Sequence, residues 1–280
     1  MNNNWDIIIT KNRGWFNLDI RSIWNYRDLI WFFVRRNIVT QYKQTILGPL
    51  YFFISPIFGT LINMLVFGKI AKLSTDNIPQ FLFYMSGNLF WGYFISCMGS
   101  GKSVLQGNAG LFSQVYFPRL TIPISNNIST LFKLCIQFLL FLCFYLYFYF
   151  QGFNIAPKSA IVLIPFLILQ CSLLGLGFGI LISSLTVKYR DLNFIYSFIT
   201  SLWMYLSPVV YPLSEIPEEW HFILSFNPMV GIIETARYLI FGISSIEFIY
   251  QINGMIVSSV LLFIGLVLFN RSEKTFLDSI

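Results

Sequence analysis

An all-α integral membrane fold is predicted for this 280-residue chain by three observations. Six stretches carry no charged side chain: 44–68, 77–101, 134–157, 159–187, 192–214 and 248–270. Each exceeds the roughly 20 residues a helix needs to cross the hydrocarbon core. Hydrophobic residues make up 56% of the sequence and charged residues 11%, against about 25% charged in an average soluble protein. Lys and Arg are also spread unevenly between the gaps. With the N-terminus inside, Lys11, Arg13, Arg21, Arg27, Arg35, Arg36, Lys43, Lys102, Arg119, Lys133, Lys188, Arg190, Arg271 and Lys274 face the cytoplasm, and only Lys69, Lys72, Lys158 and Arg237 lie outside. Cytoplasmic loops favour these residues, so six spans with both termini in the cytoplasm are expected. The chain then divides into a cytoplasmic N-terminal segment 1–43, a membrane domain 44–270 and a cytoplasmic tail 271–280. No cleavable signal is visible in the first forty residues, which lack a short apolar core before a small-residue site.

Ahead of the first span, residues 20–38 read as an amphipathic helix. Ile20, Ile23, Trp24, Trp31, Val34 and Ile38 share one face, and Arg21, Asn25, Asp28, Arg35 and Arg36 gather on the other. Paired Trp residues favour the headgroup zone, so the helix is expected to lie on the membrane. A cytoplasmic helix packed on a partner is the alternative. Arg27 sits on the apolar side and would have to snorkel.

Within the spans, Pro49 and Pro56 fall in the first, Pro165 in the fourth, and Pro208 and Pro212 end the fifth. Each is expected to bend its helix where neighbours can satisfy the freed carbonyl. The fourth span carries Gly175, Gly177 and Gly179, followed by Ser183 and Ser184. No strand precedes this run, so it is not a nucleotide loop; Gly175 and Gly179 place two small residues on one face for close helix packing. Cys97, Cys135, Cys143 and Cys171 all lie in spans without a CxxC pair, and packing roles are expected, not metal or disulfide roles. Between spans five and six, 222–242 is apolar but interrupted by Asn227, Pro228, Gly231, Glu234 and Arg237. Short re-entrant helices on the outer side are expected there. Glu234 and Arg237, three apart, could pair on one helix face, or form an ordinary surface pair in a loop.

These features exclude several function classes. Spans without ionisable residues, with Lys133 at a span edge, argue against a proton- or sodium-coupled carrier. No charged ring or carbonyl filter suggests a channel. The net charge of +6 is accounted for by topology, with no basic cluster for nucleic acid. His221 is the single histidine, and Glu215, Glu218 and Glu219 precede it. This set could support acid–base chemistry but reads more simply as a solvated acidic loop. No P-loop is present; if ATP powers the protein, another subunit binds it.

Seven segments in order then carry a resemblance. They are QYKQTILGPL at 41–50, VFGKI at 66–70, NAGLFSQVYFPRLTIP at 108–123, KYRDL at 188–192, SPVVY at 207–211, FNPMV at 226–230 and ETAR at 234–237. Together the chain resembles the membrane subunit of ABC-type polysaccharide exporters, the branch that moves O-antigen, capsule or teichoic acid chains. It departs from that pattern at Gln41, often Arg, and Tyr51, often Trp. The resemblance implies a permease that works as two copies with two ATPase subunits, in the cytoplasmic (inner) membrane. The partner subunits would bind ATP and Mg, and the chain itself would hold no cofactor or metal and catalyse no bond chemistry. It implies that Asn108, Leu111, Val115, Tyr116, Phe117, Pro118 and Arg119 seat in a groove on the ATPase, and that Arg190 and Asp191 brace the same face. Arg35, Arg36 and Lys43 would form the cytoplasmic gate for a lipid pyrophosphate head. Asn227, Pro228, Glu234 and Arg237 would form the outer gate. An export path for a hydroxyl-rich glycan needs aromatic faces and few charges; Tyr51, Phe52, Trp203, Tyr205 and Tyr211 are the candidates. The expected cargo is a lipid-linked polysaccharide. An ABC permease for a drug or lipid, and a membrane-bound glycan-modifying transferase, are the alternatives.

Overall fold

The computed structural model describes residues 20–43, 50–153, 155–189, 191–242 and 248–277. Lys11, Arg13, Arg190, Pro49 and the 44–49 part of the first motif lie outside them. The described residues are helical throughout their regular parts, with no strand. In chain order the helices are α1 (Ile20–Asn25), α2 (Arg27–Lys43), α3 (Leu50–Asn63), α4 (Gln80–Lys102), α5 (Val104–Gly107), α6 (Ala109–Gln114), α7 (Thr121–Phe150), α8 (Ile164–Lys188), α9 (Leu192–Tyr205), α10 (Glu218–Ser225), α11 (Pro228–Phe241) and α12 (Phe248–Leu277). A π-helical stretch, Met64–Ile70, continues α3, and a 3-10 turn, Ser159–Leu163, leads into α8.

Four of these are long and apolar enough to cross a bilayer: Leu50–Ile70, Thr121–Phe150, Ser159–Lys188 and Phe248–Ser272. The other two expected spans differ in kind. α4 has 23 residues but is more polar, and it is the buried centre of the molecule, packed on α7 and α8. α9 has only 14 residues and reaches about 21 Å. The expected fifth span, 192–214, is therefore a short helix followed by a turn. Pro208 and Pro212 lie beyond the helix and do not bend it.

α4, α8 and α12 pack so closely because of the glycine run. A Cβ on Gly175 would fall 2.6 Å from the Cys97 Cβ, and one on Gly179 would fall 2.6 Å from the Met98 carbonyl. Both glycines face α4, as the spacing predicts. Gly177 takes the other side, 2.7 Å from the Leu262 backbone of α12 by the same measure, and Gly265 of α12 meets the Gly177 carbonyl in return. The core cluster fills in around this contact with Leu82, Phe83, Phe90, Phe94, Leu174, Ile233 and Phe241.

Several sequence expectations are corrected. The third span does not start at 134: α7 begins at Thr121, with Pro123 in its first turn, where proline is tolerated. The polar groups of its first half are satisfied within the bundle: Ser125, Ser129 and Thr130 hydrogen-bond back to carbonyls three or four residues earlier, and Asn127 donates to the Ser172 carbonyl of α8 at 3.1 Å. Lys133 consequently lies inside the continuous helix α7, where its polar first half gives way to its apolar second half. Pro165 lies in the first turn of α8, where its missing N–H costs nothing, and not in a kink. α1 and α2 break at Tyr26, and within the protein α2 packs through Phe33 and Val34. Phe33 and Val34 are buried, whereas Trp24 and Trp31 project outward at 69% and 67% exposure. Arg27 shares their exposed side. Cys97 and Cys171 are buried packing residues as expected, but Cys135 and Cys143 face outward; all four are free thiols.

Candidate coupling surface and outer gate

At the end of the bundle expected to face the cytoplasm, α5 and α6 form a short helical elbow between α4 and α7. The Leu105 N–H donates to Ser183 Oγ at 3.3 Å, and Gln106 Nε2 donates to the Thr186 carbonyl at 3.0 Å. Both bonds strap α5 to the end of α8. Asn108 Nδ2 donates to the Val104 carbonyl at 2.9 Å and closes the turn between α5 and α6. A second apolar cluster lies beneath: Phe33 of α2, Phe112, Phe117, Ile122 of α7, Ile180 of α8 and Phe269 of α12. The Phe117 ring stands 5.7 Å from Phe112 and 5.9 Å from Phe33.

The seven residues expected in an ATPase groove thus divide by role. Val115 and Tyr116 are exposed, at the tip of the elbow. Phe117 and Arg119 are buried, and the Arg119 guanidinium lies 5.2 Å above the Phe112 ring. Leu111, Pro118 and Asn108 are half-buried. Asp191 stands exposed at the start of α9, with no side-chain cap bond to the helix. Arg35, Arg36 and Lys43 are all exposed on α2, and Arg36 lies 4.7 Å above the Phe33 ring.

At the opposite end the chain turns irregular after α9. Ser207, Val209 and Val210 are buried there, and their backbone groups need partners. Asn227 and Arg237 supply them. Asn227 accepts from the Met229 N–H at 3.1 Å, which caps α11, and accepts from Trp203 Nε1 at 3.1 Å. Its amide donates to the Leu206 carbonyl at 2.9 Å and to Ser207 Oγ at 3.1 Å. Arg237 Nη1 donates to Glu234 at 3.0 Å, and Nη2 donates to the Val209 carbonyl at 3.0 Å. The guanidinium also lies 3.7 Å above the Phe83 ring. Gly87 makes room: a Cβ there would sit 2.6 Å from the Val209 carbonyl. Glu234 and Arg237 are therefore a buried pair in the core, not a pair on a loop surface. Pro228 occupies the first turn of α11, and Gly242 ends that helix in a left-handed conformation at φ 73°, against the Ala156 carbonyl.

The aromatic candidates fall into three environments. Tyr51 and Tyr205 are exposed; Tyr205 lies 6.4 Å from Phe67, and its carbonyl accepts from the Tyr211 hydroxyl at 2.8 Å. Phe52 is buried. Trp203 is committed to packing, edge-on to Phe94 at 5.1 Å and Phe178 at 4.8 Å, besides its bond to Asn227. Elsewhere, His221 contacts the Ile216 carbonyl at 3.1 Å, and Glu215, Glu218 and Glu219 are exposed, as a solvated acidic loop requires. The junction of Trp203, Asn227 and Ser207 had no signal in the sequence, because its members lie on two elements about twenty residues apart.

A bundle of long apolar helices with a strapped elbow at one end and a capped hairpin of short helices at the other defines a multi-pass membrane protein. The profile of the ABC-2 type transporter membrane family matches residues 28–241, and the chain belongs to that family. It is 28% identical over 267 residues to an O-antigen export system permease of Myxococcus xanthus, covering 93% of this chain and 98% of that one. It is 26% identical to an O-antigen export system permease of Klebsiella pneumoniae, with 90% and 94% covered. A polysialic acid transport protein of Escherichia coli is 24% identical, with 87% and 93% covered.

Proposed function

We propose that the chain is the permease subunit of an ATP-driven exporter of lipid-linked polysaccharide across the cytoplasmic membrane, working as two copies with two ATPase subunits. The end-to-end similarity to O-antigen export permeases carries this reading. The geometry supports it in three ways. The exposed Val115–Tyr116 tip is backed by an apolar cluster shared by α2, α7, α8 and α12, so a push on the tip from an ATPase reaches four helices through close-packed side chains. α9 has no buried residue and α3 buries only Phe52 and Thr60. These two helices carry Tyr51, Phe53, Phe198 and Tyr205 on uncovered faces, which suits a path formed where two copies meet. In the six-span orientation α10 and α11 dip into the outer leaflet, and Asn227 and Arg237 hold the irregular turn that they cover.

Glycan moves outward, in this mechanism, as ATP turns over in the partner. Arg35, Arg36 and Lys43 receive the anionic head at the cytoplasmic surface, and stacking faces pass the sugars. The test is reconstitution in vesicles with the ATPase subunit that co-purifies with the permease. ATP-dependent glycan translocation is expected, and Tyr51→Ala with Tyr205→Ala should cut the rate at least tenfold without loss of the assembled complex. Translocation by the lone permease, without nucleotide, removes the reading.

A further inference from the structure

We propose that a cleft between α3, α4 and α7, built around Lys133, binds the phosphate group of a lipid inside the membrane. The cavity measures about 210 Å³ and is lined by Ser55 and Gly59 of α3, Asn88 of α4, and Lys133 and Gln137 of α7. Lys133 stands where α7 turns from its polar first half to its apolar second half, and an ionisable residue in a spanning helix marks a ligand or ion pathway unless the protein pairs it. Among the described residues no carboxylate pairs with this one. No acidic residue lines the cleft, and the only close partner of the ammonium among the described residues is the edge of its range over the Phe52 ring, 6.0 Å from the centroid. A second donor points the same way. Asn88 Oδ1 accepts from Asn63 Nδ2 at 2.9 Å, which leaves the Asn88 amide nitrogen beside Gly59, buried and without a hydrogen-bond partner. An ammonium and an amide N–H₂, with the Ser55 hydroxyl and Gln137 amide around them, make a donor-rich and cation-bearing pocket. Phosphate oxygens meet that need, because charge-assisted bonds to lysine are the strong ones.

The cleft also lies in line with a row of polar residues that reaches α2. Asn126, Ser129, Lys133 and Gln137 follow one another at spacings of three, four and four residues, so they form a single polar stripe along α7. Its inner end meets α2, where Asn37 donates to Asn126 at 2.8 Å and reaches Ser129 at 3.5 Å. α2 is the helix that exposes Arg35 and Arg36. The stripe thus joins the cleft to the helix that carries the exposed cations. The site relies on the proposed export function for the identity of its ligand, a prenyl-linked phosphate or pyrophosphate.

The test uses the full-length permease in phosphatidylcholine nanodiscs, with geranylgeranyl pyrophosphate as probe and geranylgeraniol as the phosphate-free control. Saturable binding of the pyrophosphate is expected. Lys133→Gln should weaken it at least tenfold, Lys133→Arg should stay within about threefold of wild type, and Asn88→Leu should fall between them. A thermal melt of each variant verifies folding. Retention of the probe when phosphatidylglycerol is added assigns the site to the cargo lipid; displacement assigns it to bilayer phosphates, and either result keeps a phosphate site. Binding that is equal in Lys133→Gln and wild type, or equal for the alcohol and the pyrophosphate, overturns it. ATP-driven export measured on the same variants separates the two proposals. Unchanged binding with intact export removes the site alone; absence of export by wild type removes the function and leaves the binding result to judge the cleft.

Discussion

Arg237 holds three parts of the chain at once: Glu234 on its own helix, the Val209 carbonyl in the turn after α9, and the Phe83 ring on α4. Removing one member of a buried, hydrogen-bonded ion pair leaves the other charge stranded, which costs about 3–5 kcal/mol. Arg237→Leu should therefore lower the thermal unfolding temperature in detergent sharply. Glu234→Gln should do less harm, because a glutamine oxygen can still accept from the guanidinium. In the double variant Glu234→Gln with Arg237→Met, part of the loss should return. Equal melting of Arg237→Leu and wild type would show that the pair does not anchor the turn. Sequence spacing made the pairing of these two residues legible, but not its burial. Three-residue spacing gives adjacency on a helix, whereas burial depends on where the 207–210 turn folds, and nothing local to 234–237 encodes that.

At the level of elements, the sequence was most readable where geometry is periodic. Gly175 and Gly179 announced a close helix contact and made it, against Met98 and Cys97. Gly179→Val should cost at least about 1–3 kcal/mol, because the added atoms meet a backbone carbonyl that cannot rotate away. Gly110→Ala on α6, where a Cβ meets nothing within 4 Å, should leave folding and melting unchanged. Monodisperse yield on gel filtration and the melting temperature decide both cases. The failures share a cause as well. Taking each charge as the edge of a span placed the third span after Lys133, although the stripe through Asn126, Ser129, Lys133 and Gln137 already had the period of one continuous helix. The burial of Phe33 was missed for a related reason: it packs against Phe117, a contact that no local period of α2 announces.

For the whole molecule, the division of the coupling segment into an exposed tip and a buried root makes a positional prediction. In a cysteine-free background, Tyr116→Cys should crosslink to the ATPase in the assembled transporter, and Phe117→Cys should not, since the adjacent ring is sealed among Phe33, Phe112 and Ile122. Silence at both Val115 and Tyr116 would count against docking on this elbow. Family membership was legible from ordered motifs spread along nearly the whole chain, each weak alone. The elbow's inward half was not, because burial of Phe117 depends on Phe33 and Phe269, more than eighty residues away on either side.

The brevity of α9 carries a last consequence. Its 14 residues cover about 21 Å, some 9 Å short of an average hydrocarbon core. In the six-span arrangement proposed above, the bilayer around it would have to pinch or neighbouring protein make up the shortfall, and such mismatch carries an energy that grows with each ångström. Acyl-chain length then becomes a dial on the resting state. Vesicles of short-chain phosphatidylcholine should favour the form in which this helix meets lipid, long-chain vesicles the form in which it is shielded. Turnover measured across a series from 14 to 22 carbons, a range that brackets roughly 30 Å, should peak and fall, not stay level.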